Sequence, residues 1–206
     1  MPKKEVPLDH LQNYLPPGTG EAVTVYLQQY KVHLTVARQR DSILGDYRHR
    51  THHVNHRISV NGNLNSFSFL ITLLHELAHL LAFEQHGNRV RAHGREWKNI
   101  YAQLLEQFLQ HKIFPSDIEK ELFRSLKNPA ASSCAEEGLL RVLRKYDRIT
   151  NGHHFVEELA AGHLFRLKDG RVFRKGEKLR KRFKCIEVKT GKIYLFSPVY
   201  EVEMIS

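Results

Sequence analysis

The chain has 206 residues, of which 41% are hydrophobic and 26% charged, and its formal net charge is +10. This length and balance suit one globular domain with a small appendage and argue against a disordered or fibrous chain. The two cysteines, Cys134 and Cys185, stand far apart with no CxxC pair, which argues against a disulfide framework or a cysteine zinc finger.

The N-terminal part of the chain predicts two helices followed by strands. Residues 8–15 predict a short helix stopped by a Pro-Pro-Gly run, and residues 19–30 predict a second helix with Thr19 as its N-cap. Apolar and polar residues then alternate, which is typical of strands. We expect strands at 32–37, 46–50 and 57–60.

A long helix is predicted next, starting at Asn65 or Ser66 and running to about Gln85. Its apolar residues cover much of its circumference, so we expect it to be buried. Gly87 is suited to end it, because glycine adopts left-handed backbone conformations without a Cβ clash. A second helix, at 95–111, carries a regular apolar stripe.

Two further helices are predicted from capping boxes, in which a serine and a glutamate three residues later bond each other's backbone N–H groups. Ser116 with Glu119 opens a helix to about residue 127. Ser133 with Glu136 opens another to about residue 146.

The last part of the chain predicts a small β module. Residues 163–174 predict a hairpin with an Asp-Gly turn, and residues 183–196 predict a second hairpin with a Thr-Gly turn. The segment 147–152 is expected to join this module to the helical part of the chain.

No apolar run reaches the roughly 18 residues that a membrane helix needs. The longest apolar region, 67–83, is interrupted by His75, Glu76 and His79. The charged N-terminus leads into no apolar signal core. We therefore expect a cytoplasmic protein.

The sequence His75-Glu76-Leu77-Ala78-His79 lies within the long apolar helix. Histidines four residues apart project from the same helix face, so both imidazoles can reach one metal ion. Glu76 lies beside them and can take a proton from a zinc-bound water that attacks a carbonyl. The simpler alternative is a buried helix with two satisfied histidines, but charge inside an apolar helix is costly unless it is paired or binds a metal.

Two histidines are candidates for the third ligand, since a catalytic zinc usually has three protein ligands. His86 lies two helical turns, about 10 Å, beyond His79, so the two cannot share one zinc ion unless the helix breaks at Gln85. His93 follows a loop and precedes the next helix, and a helix-loop-helix return would bring it back over His75 and His79. We therefore favour His93.

These residues, together with His93-Gly94-Arg95-Glu96-Trp97, resemble the SprT-like (SprT/Spartan-like) zinc metalloprotease domain family. In that family, HExxH is followed by a third histidine in an HGxxF or HGxxW context. Two upstream segments, 44–47 and 57–61, fit the family as well, and the resemblance covers roughly residues 14–146.

The resemblance implies an α+β fold, in which a minimal zincin-like metalloprotease domain, with a mixed sheet and metal-site helices, is followed by the β-hairpin module. We expect the metalloprotease domain at residues 1–147 and the basic module at 148–206. Many family members carry a C-terminal zinc ribbon with two CxxC pairs, whereas this chain retains only Cys185 there. We interpret the module as a degenerate ribbon that has lost its metal.

The resemblance also implies the chemistry of the site. One Zn²⁺ ion per chain would be held by His75, His79 and His93, and Glu76 would be the catalytic base. The substrate would be a protein, and eukaryotic members of the family cut proteins that are crosslinked to DNA.

The tail of the chain is basic, with 16 Lys and Arg against 8 Asp and Glu from Gly138 onward. A field of this sign attracts nucleic acid, and cations interleaved with Phe173 and Phe183 suit phosphate contact and base stacking. Strand alternation slightly favours a simpler interpretation, with the phenylalanines inside and the cations in water. The candidate nucleic-acid contacts are Arg171, Arg174, Lys175, Lys178, Arg180, Lys181, Arg182 and Lys184.

Further histidines are crowded before the third predicted strand, namely His49, His52, His53 and His56. We interpret them as an exposed edge near the substrate cleft, with a second metal site as the alternative. Trp97 and Tyr101 are expected to pack in the core, and Cys134 to be structural.

Two functions follow from these patterns. The first is a zinc-dependent peptidase that acts on DNA-associated or DNA-crosslinked proteins. The alternative is a nucleic-acid-binding protein whose zinc site is structural and performs no turnover. Glu76 favours the peptidase, because a purely structural site needs no base.

Overall fold

The computed structural model describes residues 8–147 and 152–205. The chain divides into two compact units, Met1–Tyr146 and Asp147–Ser206. The first unit combines helices with a small sheet and the second is built from strands, which confirms the predicted α+β class. Most of the predicted junction, 147–152, lies outside the described residues.

The helices and strands of the first unit follow one another as the apolar patterns predict. The helices are α1 (Leu8–Leu11), α2 (Gly20–Gln29), α3 (Ser66–His86), α4 (Arg95–Gln110), α5 (Ser116–Ser125) and α6 (Glu137–Arg144). The strands are β1 (His33–Ala37), β2 (Gly45–Arg48) and β3 (Arg57–Asn61).

The sheet of the first unit is mixed and has the strand order β1-β3-β2. The central strand β3 runs parallel to β1 and antiparallel to β2. Helix α3 packs against β2 and β3. The edge strand β2 therefore lies beside the helix that carries the HExxH sequence.

Helix α3 is the core helix of this unit. It begins where the Asn65 side chain accepts a hydrogen bond from the Ser68 N–H at 2.9 Å, and it ends at Gly87, whose φ is +61°. With the turn that follows it, this segment is long and apolar enough to span a membrane, but 72% of its most apolar window is buried inside the protein. Burial of this kind is typical of the core helix of a soluble domain.

Both predicted capping boxes are wrong. Helix α5 has Pro115 at its N-cap position with no side-chain cap, and α6 begins only at Glu137. The Glu136 carboxylate instead accepts hydrogen bonds from the Ser125 hydroxyl (2.7 Å) and the Ala130 N–H (3.1 Å). It therefore ties the segment before α6 to the end of α5.

The second unit is one antiparallel sheet with the strand order β4-β9-β5-β6-β7-β8. Its strands are β4 (His153–Phe155), β5 (Leu164–Arg166), β6 (Val172–Lys178), β7 (Phe183–Glu187), β8 (Ile193–Phe196) and β9 (Glu201–Ile205). Both predicted hairpins, β5–β6 and β7–β8, are present. The sheet is wider than two hairpins because β9 joins β4 to β5.

The core of the second unit is aromatic. Phe165 and Phe173 are fully buried, and Phe183 and Phe196 are nearly so. The phenylalanines of the basic segment therefore point inward, as strand alternation predicted.

Candidate metal centre

Helix α3 presents His75 and His79 on one face, four residues apart. His75 is buried and His79 is half-buried. Burial, together with the neighbouring imidazoles, lowers the pKa of His75 to about 3 and that of His79 to about 4. Both rings are therefore neutral at pH 7, and neutral imidazole is the form that binds a metal.

His93 reaches the same point from a tight turn just before α4. The Gly94 N–H donates to the Arg91 carbonyl at 2.9 Å, and His93 sits in the turn with a φ of +58°. A residue other than glycine is strained in this left-handed region, and such strain is concentrated at functional sites. The turn directs the imidazole of His93 toward α3.

The three imidazoles converge on one another. The His93 Nε2 lies 3.0 Å from the His79 Nε2 and 3.2 Å from the His75 Nε2. Nitrogens that bind one tetrahedral zinc ion at 2.0–2.1 Å lie roughly 3.4 Å apart. The donor set and its spacing therefore fit a single zinc ion. His86, the other candidate for the third ligand, stays at the end of α3.

Within the described part of the chain, these three residues are the one group of His, Cys, Asp or Glu side chains close enough together to hold a metal ion. The crowded histidines before β3 do not form a second such group.

Glu76 lies beside the histidines and is only 6% exposed. Burial is the main reason that its pKa rises to about 8, with a further contribution from the negative charge of Asp46 and an opposing one from Arg40. A metal cation held by the neighbouring histidines would lower this pKa again.

Gly45, the first residue of β2, passes very close to Glu76. A Cβ at this position would lie 2.5 Å from the Glu76 Oε1 and 2.8 Å from the Thr72 Cγ2. No ordinary side chain fits there without displacing the strand or the glutamate. The absence of a side chain on Gly45 thus allows the edge strand to lie against the HExxH helix.

Tyr47, two residues further along β2, stacks on His79 with ring centroids 6.4 Å apart and planes within 3°. Its hydroxyl lies 2.9 Å from the Nδ1 of His56, whose Nε2 lies 3.3 Å from the Glu84 carboxylate. His56 is 2% exposed, so the expectation of an exposed edge is wrong for this histidine. It connects β2 and β3 to α3 instead.

Trp97 packs in the core, as expected, and it also contacts all three imidazoles, which was not expected. Its ring centroid lies 4.6 Å from that of His75, 5.1 Å from that of His79 and 4.7 Å from that of His93. The Trp97 Nε1 and the His75 Nδ1 are buried with no hydrogen-bond partner among the described residues. The signal in the sequence was the spacing of four between His93 and Trp97, one helical turn.

The predicted nucleic-acid contacts do not form one exposed set. Lys175 is 5% exposed, and its ammonium donates to the carbonyl oxygens of Glu157 and Leu159. Arg171 is exposed but paired with Asp169 at 2.8 Å. The other cations are exposed or half-buried, namely Arg174, Lys178, Arg180, Lys181, Arg182 and Lys184.

The SprT-like family model matches residues 20–119. This segment contains the mixed sheet, helix α3, His93 and Trp97. This segment is therefore similar to the SprT-like family, whose domains are zinc metallopeptidase-like. The matched segment ends within α5, so the second unit lies outside it. No curated protein and no solved structure matches the chain.

Proposed function

We propose that the chain is a zinc-dependent peptidase in which His75, His79 and His93 hold the metal and Glu76 is the base. The observation that carries this proposal is the convergence of three neutral imidazoles, with Nε2 atoms 3.0 and 3.2 Å apart, beside a buried glutamate. The zinc dependence of the family supports it.

The zinc ion, when bound, would supply Lewis-acid activation of the attacking water and of the scissile carbonyl. Glu76 would accept the proton of the attacking water and return it to the leaving nitrogen. Its burial keeps the carboxylate out of bulk water, and Gly45 leaves it the room to sit beside the histidines. Trp97, packed on all three imidazoles, would fix their orientation.

The substrate would bind as an extended chain along β2. This strand is at the edge of its sheet, and Gly45 and Tyr47 lie against Glu76 and His79 respectively. Peptides add to such edges through main-chain hydrogen bonds. A peptide paired with β2 would therefore pass alongside the HExxH residues.

The test compares zinc-loaded wild type with Glu76→Gln on an unstructured protein substrate. We expect the rate to fall by a factor of roughly 10² to 10⁴, as for loss of a general base, with the zinc content unchanged. Glu106→Gln, at an exposed position on α4, is the matched control and should keep the wild-type rate. Equal rates for wild type and Glu76→Gln, or an inactive zinc-loaded wild type, would contradict the proposal.

A second proposed activity is binding of DNA by the basic module, which would bring the peptidase to DNA-associated proteins. The exposed cations on and after β6 support phosphate contact, with Arg180, Lys181 and Arg182 consecutive. Burial of Phe173 and Phe183 argues against base stacking, so the binding would be independent of sequence. Replacing the three consecutive cations with Gln should weaken oligonucleotide binding and flatten its dependence on salt. Binding that is unchanged in this variant would contradict the proposal.

A further inference from the structure

A cavity of about 360 Å³ adjoins His93 in the first unit. One wall is the face of α4 from which Arg95, Lys98 and Ala102 project at helical intervals of three and four residues. The other wall is the segment after α5. The volume is at the low end of the roughly 300–1,000 Å³ typical of small-ligand pockets, which suits one side chain or a chain end.

The charge in this cavity is of one sign. Apart from His93, its ionisable lining residues are Arg95, Lys98 and Lys127. Lys98 donates to the Asn128 Oδ1 at 2.6 Å, which holds it at the wall. In the part of the chain that the structure describes, neither Arg95 nor Lys127 has a carboxylate within ion-pair distance. Uncompensated cations in a concave site attract an anion.

The rest of the lining is apolar and includes Ala102, Leu126 and Pro129, the last of which is buried. Cations around an apolar base suit a group with methylene carbons and a carboxylate end. A nucleic-acid backbone would instead need a basic groove that continues along the surface. The combination therefore favours a peptide carboxylate over a phosphate.

We propose that this cavity is a subsite of the peptidase that binds a carboxylate of the substrate next to the scissile bond. The carboxylate would come from an Asp or Glu side chain or from the end of the peptide chain. The inference rests on the proposed function, because a peptide bond held at the three histidines must lie next to His93. The Arg95 guanidinium can bind a carboxylate through two parallel hydrogen bonds, and the lysines add charge.

The experiment uses quenched fluorescent peptides of one neutral sequence in which each position in turn is Glu, Gln or Lys, with free or amidated C-termini. Cleavage by the zinc-loaded protein is followed together with the site of cleavage. We expect kcat/KM to be about tenfold or more higher for Glu than for Gln at one position near the cut, as for a charge-assisted hydrogen bond. Comparison of the matched peptides with free and amidated C-termini shows whether a terminal carboxylate also raises kcat/KM.

Variants connect this preference to the cavity. Arg95→Gln and Lys127→Gln should each reduce the ratio of kcat/KM for the Glu peptide to that for the Gln peptide several-fold. Lys120→Gln, an equal charge change at an exposed position on α5, should keep the preference. Cleavage without any preference for Glu would overturn the inference, and so would a preference that Arg95→Gln and Lys127→Gln leave intact. In both cases the proposed function would still stand.

Binding measurements decide the case in which no peptide is cleaved and the case in which the cavity binds phosphate. If no peptide is cleaved, the proposed function fails, and with it the role of the cavity as a peptidase subsite. The Kd values of the Glu and Gln peptides then decide only whether the cavity binds a carboxylate. Equal Kd values exclude this, and tighter Glu binding that is lost in Arg95→Gln supports it. Oligothymidylate is the rival probe. If the cavity variants weaken its binding and leave the Glu preference intact, the cavity binds phosphate and the inference is wrong.

Discussion

A buried lysine in the second unit is fully paired, whereas, within the described part of the chain, two buried polar atoms beside the three histidines of the first unit are not. In the second unit, the Lys175 ammonium donates to two carbonyl oxygens and lies 4.2 Å from the Phe183 ring centroid. In the first unit, the His75 Nδ1 and the Trp97 Nε1 are buried with no partner among the described residues. A buried polar group is costly when unpaired. Lys175 therefore serves the stability of its unit, whereas the surroundings of His75 carry a cost in stability.

The largest expected effect is the loss of kcat in Gly45→Ala, which changes the surroundings of the histidine site in the first unit. The added methyl would lie 2.5 Å from the Glu76 Oε1, so the carboxylate or the strand has to move. A displacement on the order of 1 Å near the reacting groups lowers kcat by roughly 100-fold, while the zinc content should persist. The check is a steady-state assay beside zinc analysis.

The control for this substitution is Gly20→Ala at the start of α2. There the nearest side-chain atom to the new Cβ is 3.4 Å away, which is ordinary contact, so the wild-type rate should remain. Full activity of Gly45→Ala would show that β2 does not need to lie against Glu76.

A smaller effect, on stability, is expected from Lys175→Met. The apolar stem is kept, but the carbonyl oxygens of Glu157 and Leu159 lose their donor. The second unit should be less stable by about 1–3 kcal/mol, the cost of unsatisfied buried acceptors. Lys178→Met, at an exposed position of the same strand, should change stability by less than about 0.5 kcal/mol. Urea unfolding of the full chain measures both, and a Lys175→Met protein as stable as wild type would contradict the assignment.

Removing the buried carboxyl of Glu76 is expected to stabilise the metal-free protein, in contrast to removing the Lys175 ammonium. Folding raises the pKa of Glu76 from 4.5 to about 8, so the folded state holds this proton more tightly than the unfolded state. The contribution of Glu76 to the free energy of unfolding should therefore fall as pH rises from 4.5 toward 8, by about 1.4 kcal/mol per pH unit. The buried histidines, whose pKa values are lowered, contribute the opposite slope as pH rises through 6.5. The difference between wild type and Glu76→Gln therefore isolates the contribution of Glu76.

Glu76→Gln should remove this slope and make the metal-free protein more stable at about pH 8. Urea unfolding at several pH values, in a chelating buffer, gives both curves. Parallel curves for wild type and Glu76→Gln would mean that the buried carboxyl carries no such cost.

The helices of the first unit were predicted closely because their signals are local. The Asn65 cap, the apolar residues of α3 and the glycine at its end all lie within the segment they define. The choice of His93 over His86 followed from helix geometry alone, since two turns separate His79 from His86.

Contacts between distant segments could not be predicted. Gly45 contacts Glu76, and Tyr47 contacts His79, only because β2 packs on α3. No local sequence pattern predicts that packing. The paired residues of β4 and β9 are 46 to 50 positions apart in the chain, from Phe155–Glu201 to His153–Glu203, and this pairing was missed for the same reason. The capping box proposed for α6 failed because the Glu136 carboxylate is bound to Ser125 and Ala130 instead.

The most direct test of the three-histidine metal centre is the zinc content of purified wild type, His93→Ala and His86→Ala. It is measured by elemental analysis after identical handling without chelators. The three-histidine centre predicts about one zinc ion per chain in wild type and in His86→Ala, and a sharp loss in His93→Ala. Wild type without zinc, or zinc that survives in His93→Ala and is lost in His86→Ala, would contradict it.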